Sequence, residues 1–416
     1  MSGLERQGGS LALDGVSLEE IARRFGTPCY VYSRAMIESA FGEFDEGLAG
    51  VDHLVCYAMK ANSNLAILDV LARLGAGFDI VSGGELARAL AAGARPDRII
   101  FSGVGKSEAE MRAALQAGIR CFNVESEPEL ERLDAVAGSM GTVAPISLRI
   151  NPDVDAKTHR YISTGLAGNK FGIPHARSVA AYRRAAQLGN LRVAGIDCHI
   201  GSQILETAPL DAALDRVMEL VAQVEAEGIA IHHVDLGGGF GIRYRDETPP
   251  DVRAWCRRLV ERFAGGRYQV MLEPGRRLVG NAGVLLTRVE YLKVDKAKRF
   301  AVVDASMSEL IRPALYQAWH EIVPVGPGRG EAASYDVVGP VCESTDVLGE
   351  DRSLAIAAGG LLAILSAGAY AMVMASNYNT RPRPCEVLVD RGEAYEIRAR
   401  ESVAALFSLE KRLPAG

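Results

Sequence analysis

No apolar run in this sequence reaches the roughly 18 residues that a membrane-spanning helix needs. The opening residues, Met1-Ser2-Gly3-Leu4-Glu5-Arg6, are polar and lack the apolar stretch of a secretory signal, so a cytoplasmic location is expected. Polybasic runs are missing too. The formal charge is −6 and the pI near 5.8, with acidic and basic residues interspersed, which gives no support to nucleic-acid binding. The seven cysteines (29, 56, 121, 198, 256, 342 and 385) form no CxxC and no paired framework, and an odd, scattered set suits a reducing compartment. Metal-ligand histidine spacing is absent as well. His232 and His233 are adjacent and would face opposite ways on a strand, so no metal is expected. There is no internal repeat and no low-complexity tract.

What is present is ordinary globular composition, 48% hydrophobic and 24% charged over 416 residues, enough for two domains. Eight short apolar runs rich in β-branched residues lie near 54–60, 77–82, 98–103, 120–126, 145–151, 192–200, 232–239 and 268–275. They alternate with segments of helical spacing such as Gly84–Ala92 and Glu108–Ala117. Such alternation makes βα units and a parallel sheet. Eight units between residues 54 and 275 fit a closed (β/α)8 TIM-type barrel better than an open doubly wound sheet. Beyond residue 277 the pattern turns strand-rich: Val284–Val294, Arg299–Asp304, Tyr335–Val341, Ser353–Ala358 and Cys385–Arg391. The first 30 residues supply a helix, Leu18–Phe25 with Ser17 as its cap, and a strand, Cys29–Ser33. The expected organisation is therefore an α/β barrel over 31–276 and a C-terminal mainly β domain over 277–416, with the N-terminal segment 1–30 packing on the latter. The connection 152–191 is long, and a long loop on a barrel is usually functional.

Barrel active sites lie at the carboxyl ends of the strands. Those ends are Lys60, Asp79, Ser102, Glu125, Arg149 with Asn151, His199, Gly237-Gly238-Gly239 and Glu273-Pro274-Gly275-Arg276. A polar or glycine-rich group at every end describes a single catalytic mouth. Lys60 closes an apolar run that begins at Val55, and a desolvated amine there loses its proton more easily and can form a Schiff base. The glycines at 237–239 and the Gly275-Arg276 pair follow the seventh and eighth strands, where barrels often bind phosphate through bare amides. A glycine triplet alone serves equally as a tight turn; the neighbouring Gly-Arg pair favours phosphate. A lysine and a phosphate cradle in one barrel suggest pyridoxal 5'-phosphate, which also needs a flat neighbour for its ring and a partner for its pyridine nitrogen. His199 suits the first role and Glu85 the second. Gly103-Val104-Gly105-Lys106-Ser107 mimics the end of a Walker A loop, but the motif's first glycine is replaced by Ile100, so a nucleotide is not expected.

Further segments extend the pattern. In order they are Tyr57–Asn62, Phe78–Glu85, Asn169–Ile173, His199–Gln203, Asp235–Gly239, Glu273–Arg276, Arg312-Pro313-Ala314-Leu315-Tyr316, Cys342-Glu343-Ser344 with Asp346, and Gly368-Ala369-Tyr370. As an ordered set they resemble the barrel-type pyridoxal-phosphate decarboxylases, and within these the diaminopimelate-decarboxylase family. The resemblance implies decarboxylation of meso-2,6-diaminopimelate to L-lysine and carbon dioxide, the last step of lysine biosynthesis, by a homodimer with shared active sites. It also implies residue roles. Lys60 would hold the cofactor covalently, His199 would stack on its ring, and Glu85 would pair with its nitrogen. Ser202, Gly237, Gly238, Gly239, Gly275, Arg276 and Tyr370 would surround the phosphate, with Asp79, Glu273 and Pro274 also lining the cofactor. The Cys342-Glu343 segment would reach the site from the partner subunit, and Cys342 would donate the final proton. Glu343 would bind the distal amino group. Arg276, Arg312, Tyr316 and Tyr370 would contact the substrate, the arginines gripping its distal carboxylate.

The chemistry agrees with these roles. Diaminopimelate has an amino-acid head at each end, so one carboxylate must leave while the other is held, and a guanidinium fork matches a carboxylate bidentately. Decarboxylases of ornithine or arginine need an acidic pocket for a cationic far end, which Arg312 with Tyr316 does not offer. A carboxynorspermidine decarboxylase is harder to separate on charge alone. A non-catalytic pyridoxal-phosphate carrier would be a barrel alone, without the segments that supply Cys342 and Tyr370. Ser102, Glu125 and Arg149 occupy strand ends with no role assigned.

Overall fold

A computed structural model describes residues 3–155, 170–295, 298–328 and 330–414. Residues 156–169, and with them Asn169 and the middle of the 152–191 connection, lie outside the described residues. The chain divides into two compact units. One is Glu38–Ile242 with Glu247–Leu278; the other is Met1–Ile37, Arg243–Asp246 and Val279–Gly416.

The first unit is the barrel. Among the described residues, eight parallel strands run His53–Ala58, Gly77–Ile80, Ile99–Phe101, Cys121–Val124, Ala144–Asn151, Leu191–Cys198, His233–Asp235 and Gln269–Leu272. Each pairs with the next, and the eighth closes on the first in the register Val270↔His53. Their residues are almost all buried, as expected of strands covered by helices on the outside and filled by side chains within. Leu54, Cys56, Ile100, Cys121 and Met271 form one apolar cluster of this core.

Short side chains at the strand-to-helix turns start the helices. Asn64 caps Leu65–Arg73, Ser82 caps Gly83–Ala91, and Ser126 caps Glu127–Ser139, each accepting from an early helical amide. Ser107 and Glu110 form a reciprocal capping box on Glu108–Ala117. The same turn explains the Walker-like sequence. Lys106 is buried, and its Nζ donates to the Gly103 carbonyl (2.8 Å), the Asn123 carbonyl (2.7 Å) and Glu129 Oε1 (2.7 Å). All three ammonium hydrogens are used within the protein.

The second unit is built on a mixed sheet. Its long strand, Gly283–Val294, pairs with Cys29–Ser33, Arg299–Val303 and Leu361–Ile364. Cys29–Ser33 lies between that strand and Cys385–Asp390, so a strand from the start of the chain is interior to the sheet and wholly buried. Helix Leu18–Phe25 forms as expected, with the Ser17 hydroxyl accepting from the Glu20 amide. A strand expected over 353–358 instead spans Val347–Leu354 and pairs with Ala333–Val338 through two register shifts. Gly349 and the charged run Glu350-Asp351-Arg352 hid it from an apolar-pattern reading. Short strands at Ile322–Pro324 and Glu393–Arg398 are additional to those expected.

Candidate active site

The mouth of the barrel gathers most of the expected residues. The first strand ends at Ala58, and Lys60 follows in a single helical turn, Met59–Ala61. Its Nζ lies 2.9 Å from Asp79 Oδ2, at the end of the second strand. Asp79 is fully buried while 37% of the Lys60 side chain is exposed. The lysine is therefore less desolvated than its apolar run suggests, and it is held by charge. Glu125 and Arg149, unassigned from the sequence, form one rigid joint. Glu125 Oε1 accepts from Arg149 (2.9 Å) and from the Gly103 amide (2.8 Å), and Oε2 accepts from the Gly172 amide (3.1 Å). The Ser102 hydroxyl accepts from Asn123 at 3.2 Å.

Below the mouth three buried carboxylates converge. Asp197, Asp235 and Glu273 offer oxygens that all lie within 4.8 Å of one another. Burial raises each of them: Asp197 to about 7, against the pull of Arg149, and Asp235 and Glu273 well above the usual carboxylate range, with the neighbouring acids adding to the rise. Like charges this close cannot all ionise. Asp197 escaped sequence reasoning, and Asp235 was part of the segment Asp235–Gly239 but was given no role. The signal was there: each lies two residues before an expected site position, His199 and Gly237, and on a strand that spacing means the same face.

Glu85 is also raised by burial, to about 7. Its Oε2 accepts the Val81 amide at 2.7 Å, so it closes the start of its own helix as Ser82 does from the other side. Glu273 is engaged differently: Oε1 accepts from Asn123 at 3.3 Å, and its own amide donates to the Gly237 carbonyl at 2.7 Å. Burial, with Arg149 and Lys60 nearby, holds His199 well below the usual imidazole range. Its Nδ1 accepts the Gly238 amide at 3.2 Å, which fixes the ring's orientation.

The glycine triplet combines both of its expected uses. A Cβ on Gly238 would run into the Glu273 carbonyl, and one on Gly239 into the Gly201 carbonyl, so close strand packing requires glycine here. The Gly237 amide is taken by Asp235 Oδ1 (2.9 Å) and that of Gly238 by His199, so the triplet is not a row of bare amides. Beside it Arg276 places Nε and an Nη 3.3 and 3.0 Å from the Ser202 hydroxyl. A buried guanidinium and a hydroxyl held together at the edge of a glycine turn are donors suited to a phosphate.

The second unit carries the remaining expected residues. Arg312 opens a short helix, Arg312–Tyr316, and is buried. Its guanidinium carbon lies 5.2 Å from the ring centre of Tyr244 and 5.8 Å from that of Tyr316. Its Nε donates to His320 Nε2 at 3.2 Å. Tyr244 and His320 were not found from sequence, because each is remote from the Arg-Pro-x-x-Tyr motif or merely trails it. Cys342 and Glu343 are exposed in a turn, whereas the other six cysteines are buried. Asp346 fixes that turn by accepting the Met307 amide at 2.6 Å and the Val341 amide at 2.8 Å. Tyr370 has φ 54°, a left-handed conformation that an aromatic residue rarely adopts. The turn before it is anchored where Gly368 donates to the Gly280 carbonyl at 3.0 Å.

A lysine just past a barrel's first strand and a serine–arginine couple beyond its eighth could together hold a cofactor that carries an aldehyde and a phosphate. Consistently, a sequence family described as the pyridoxal binding domain of pyridoxal-dependent decarboxylases matches residues 34–280. The chain is 58% identical to a diaminopimelate decarboxylase of Pseudomonas fluorescens over 100% of both chains, and 56% identical to that of Vibrio cholerae over 98% of both. A diaminopimelate decarboxylase from M. jannaschii, solved in co-complex with L-lysine, superposes with a TM-score of 0.94 at 37% identity, covering 99% of this chain and 98% of that one. The chain belongs to the diaminopimelate decarboxylase family of the pyridoxal-dependent decarboxylases.

Proposed function

We propose that this protein removes one carboxylate from meso-diaminopimelate and leaves L-lysine, using pyridoxal 5'-phosphate. The observation that carries the choice of substrate is Arg312, a buried guanidinium set between two tyrosine rings. A cationic far end, as in ornithine or arginine, would be repelled there; a carboxylate would be held by the planar fork. The relative solved with L-lysine, which keeps that carboxylate, agrees with this reading.

The barrel mouth fits the cofactor. Lys60 would be the covalent partner, and its ammonium donates to Asp79 Oδ2. Ser202 and Arg276 would hold the phosphate, with Gly239, Gly275 and Pro274 beside them. His199, oriented by Gly238, would lie against the cofactor's ring. For the pyridine nitrogen we assign Glu273 ahead of Glu85. Glu85 already serves its own helix, whereas Glu273 sits among other buried acids, where a pyridinium N–H would relieve the crowding of negative charge. The bound cofactor supplies the electron sink for the pair left by the departing carboxylate.

The chain's own groups do the rest. Arg312 and Tyr316 hold the carboxylate that stays, and Glu343, on the same segment as Cys342, takes the distal ammonium. The exposed thiol of Cys342 delivers a proton to the carbon that lost carbon dioxide. In a homodimer with shared sites that thiol comes from the partner subunit, in the cytoplasm where thiols stay reduced. The test is product identification: carboxyl-labelled meso-diaminopimelate given to the pyridoxal-phosphate-loaded protein should yield labelled carbon dioxide and L-lysine. Borohydride reduction should fix the cofactor on Lys60. A protein that carries the reduced cofactor on Lys60 yet leaves meso-diaminopimelate intact would retain the cofactor assignment and lose the substrate.

A further inference from the structure

The Arg312 cage has a member that no comparison and no motif assigns. His320 is fully buried, and its two ring nitrogens are engaged in opposite directions. Nδ1 lies 2.9 Å from the Leu365 carbonyl, which can only accept, so Nδ1 carries the hydrogen. Nε2 is then a bare acceptor, and it receives the Nε–H of Arg312 at 3.2 Å. Both bonds together require the neutral Nδ1–H tautomer, because a hydrogen on Nε2 would face the guanidinium N–H. Tyr244 locks the ring from the side, edge to face at 5.3 Å and 80°. The same tyrosine offers its face to Arg312. His320 thus holds the guanidinium at its Nε, so that the plane of the fork, with its terminal nitrogens, is set between Tyr244 and Tyr316.

We infer that His320 is a positioning residue for substrate selection: it fixes the Arg312 fork in the orientation that receives the retained carboxylate of the substrate and of the product. The inference rests on the proposed function, in which Arg312 grips that carboxylate. It implies that His320 acts on binding of the carboxylate-bearing end and leaves the cofactor and the proton donor untouched.

The test compares L-lysine with cadaverine, the same diamine skeleton without the carboxylate, as ligands of the pyridoxal-phosphate-loaded enzyme. Equilibrium binding is measured by calorimetry beside KM and kcat for meso-diaminopimelate. His320→Phe keeps an aromatic ring of similar size but offers Arg312 no acceptor. It should weaken L-lysine and raise the KM for meso-diaminopimelate by about tenfold or more, the usual worth of a lost hydrogen bond to a charged group. Cadaverine affinity, the cofactor's absorbance and kcat should stay close to wild type. His320→Gln, whose carbonyl can again accept from Arg312, should recover much of the preference for L-lysine. If His320→Phe does not fold, His320→Asn replaces it: its amide can still donate to Leu365 but is too short to reach Arg312. A variant that folds, lacks the acceptor and keeps the wild-type preference for L-lysine over cadaverine overturns the inference, as does one whose loss falls on kcat alone. A wild-type protein with no such preference and no turnover of meso-diaminopimelate removes the substrate reading itself. These results separate the two failures.

Discussion

His233 shows how one residue can record the interior of a barrel. It opens the seventh strand, is buried, and exchanges a 2.6 Å hydrogen bond with Ser147. Burial pushes its pKa down to about 3, with Arg120 adding to the drop. The unfolded chain would titrate near the ordinary value, roughly 6.5. Between those values the unfolded chain binds a proton that the folded one refuses, so His233 contributes stability above pH 6.5 that is lost progressively as the pH falls toward 3. The slope is up to about 1.4 kcal/mol per pH unit for one proton. Asp197 and Glu85, both raised to about 7, act with the opposite sign and cost stability as the pH rises through that range. Denaturant midpoints of wild type and His233→Asn, compared from pH 7 to 4, isolate the histidine: the wild type should lose stability more steeply on acidification. Parallel pH curves would contradict the assignment. At this scale the sequence was legible wherever a residue ended a strand, as with Lys60, Asp79 and His199. It was opaque for Tyr244 and His320, because their role exists only through Arg312, and the link between positions 244 and 312 leaves no local pattern.

Elements were legible in proportion to how local their signals are. Helices with a serine cap and a following glutamate, such as Glu108–Ala117 and Leu18–Phe25, matched expectation at both ends because capping is a contact within one turn. The strand Val347–Leu354 did not, because it is an edge strand whose pairing passes through register shifts and whose exposed charged residues interrupt the apolar pattern. Lys106 belongs to this scale too. It ties the turn after the third strand to the end of the fourth and to the helix Glu127–Ser139. Lys106→Ala would strand Glu129 in a buried site, so it should cost about 3–5 kcal/mol of unfolding free energy, with no ATP binding to lose. Chemical denaturation and an ATP titration check both halves, and measurable ATP affinity in the wild type would revive the nucleotide reading. Ser107→Ala, which removes only the cap, should cost about 1 kcal/mol.

For the whole molecule, alternation of strand and helix exposed the barrel, and the change of pattern after residue 277 exposed a second unit. The compact units divide the chain less simply, since Arg243–Asp246, reached through the loop after the seventh strand, goes with the sheet unit and brings Tyr244 to Arg312. Linear boundaries cannot show such an excursion. The proposed sharing of sites between the subunits of a dimer makes a prediction of its own. Lys60→Ala and Cys342→Ala should each be nearly inactive, while a reassorted mixture should regain up to roughly a quarter of wild-type turnover, the statistical limit for a two-fold dimer. No recovery after demonstrated subunit exchange would mean that each Cys342 serves its own chain.

In the proposed function, the mouth around Lys60 provides the decarboxylation chemistry and Arg312 chooses a substrate with a carboxylate at its far end. The most direct test is kcat/KM of the loaded wild-type enzyme for meso-diaminopimelate, L-ornithine and L-arginine under one set of conditions. Carbon dioxide release from meso-diaminopimelate should be brisk, with a preference of at least about a hundredfold over the other two, the usual scale when a buried charged group is left unpaired. Comparable or faster release from ornithine or arginine would contradict this choice of substrate.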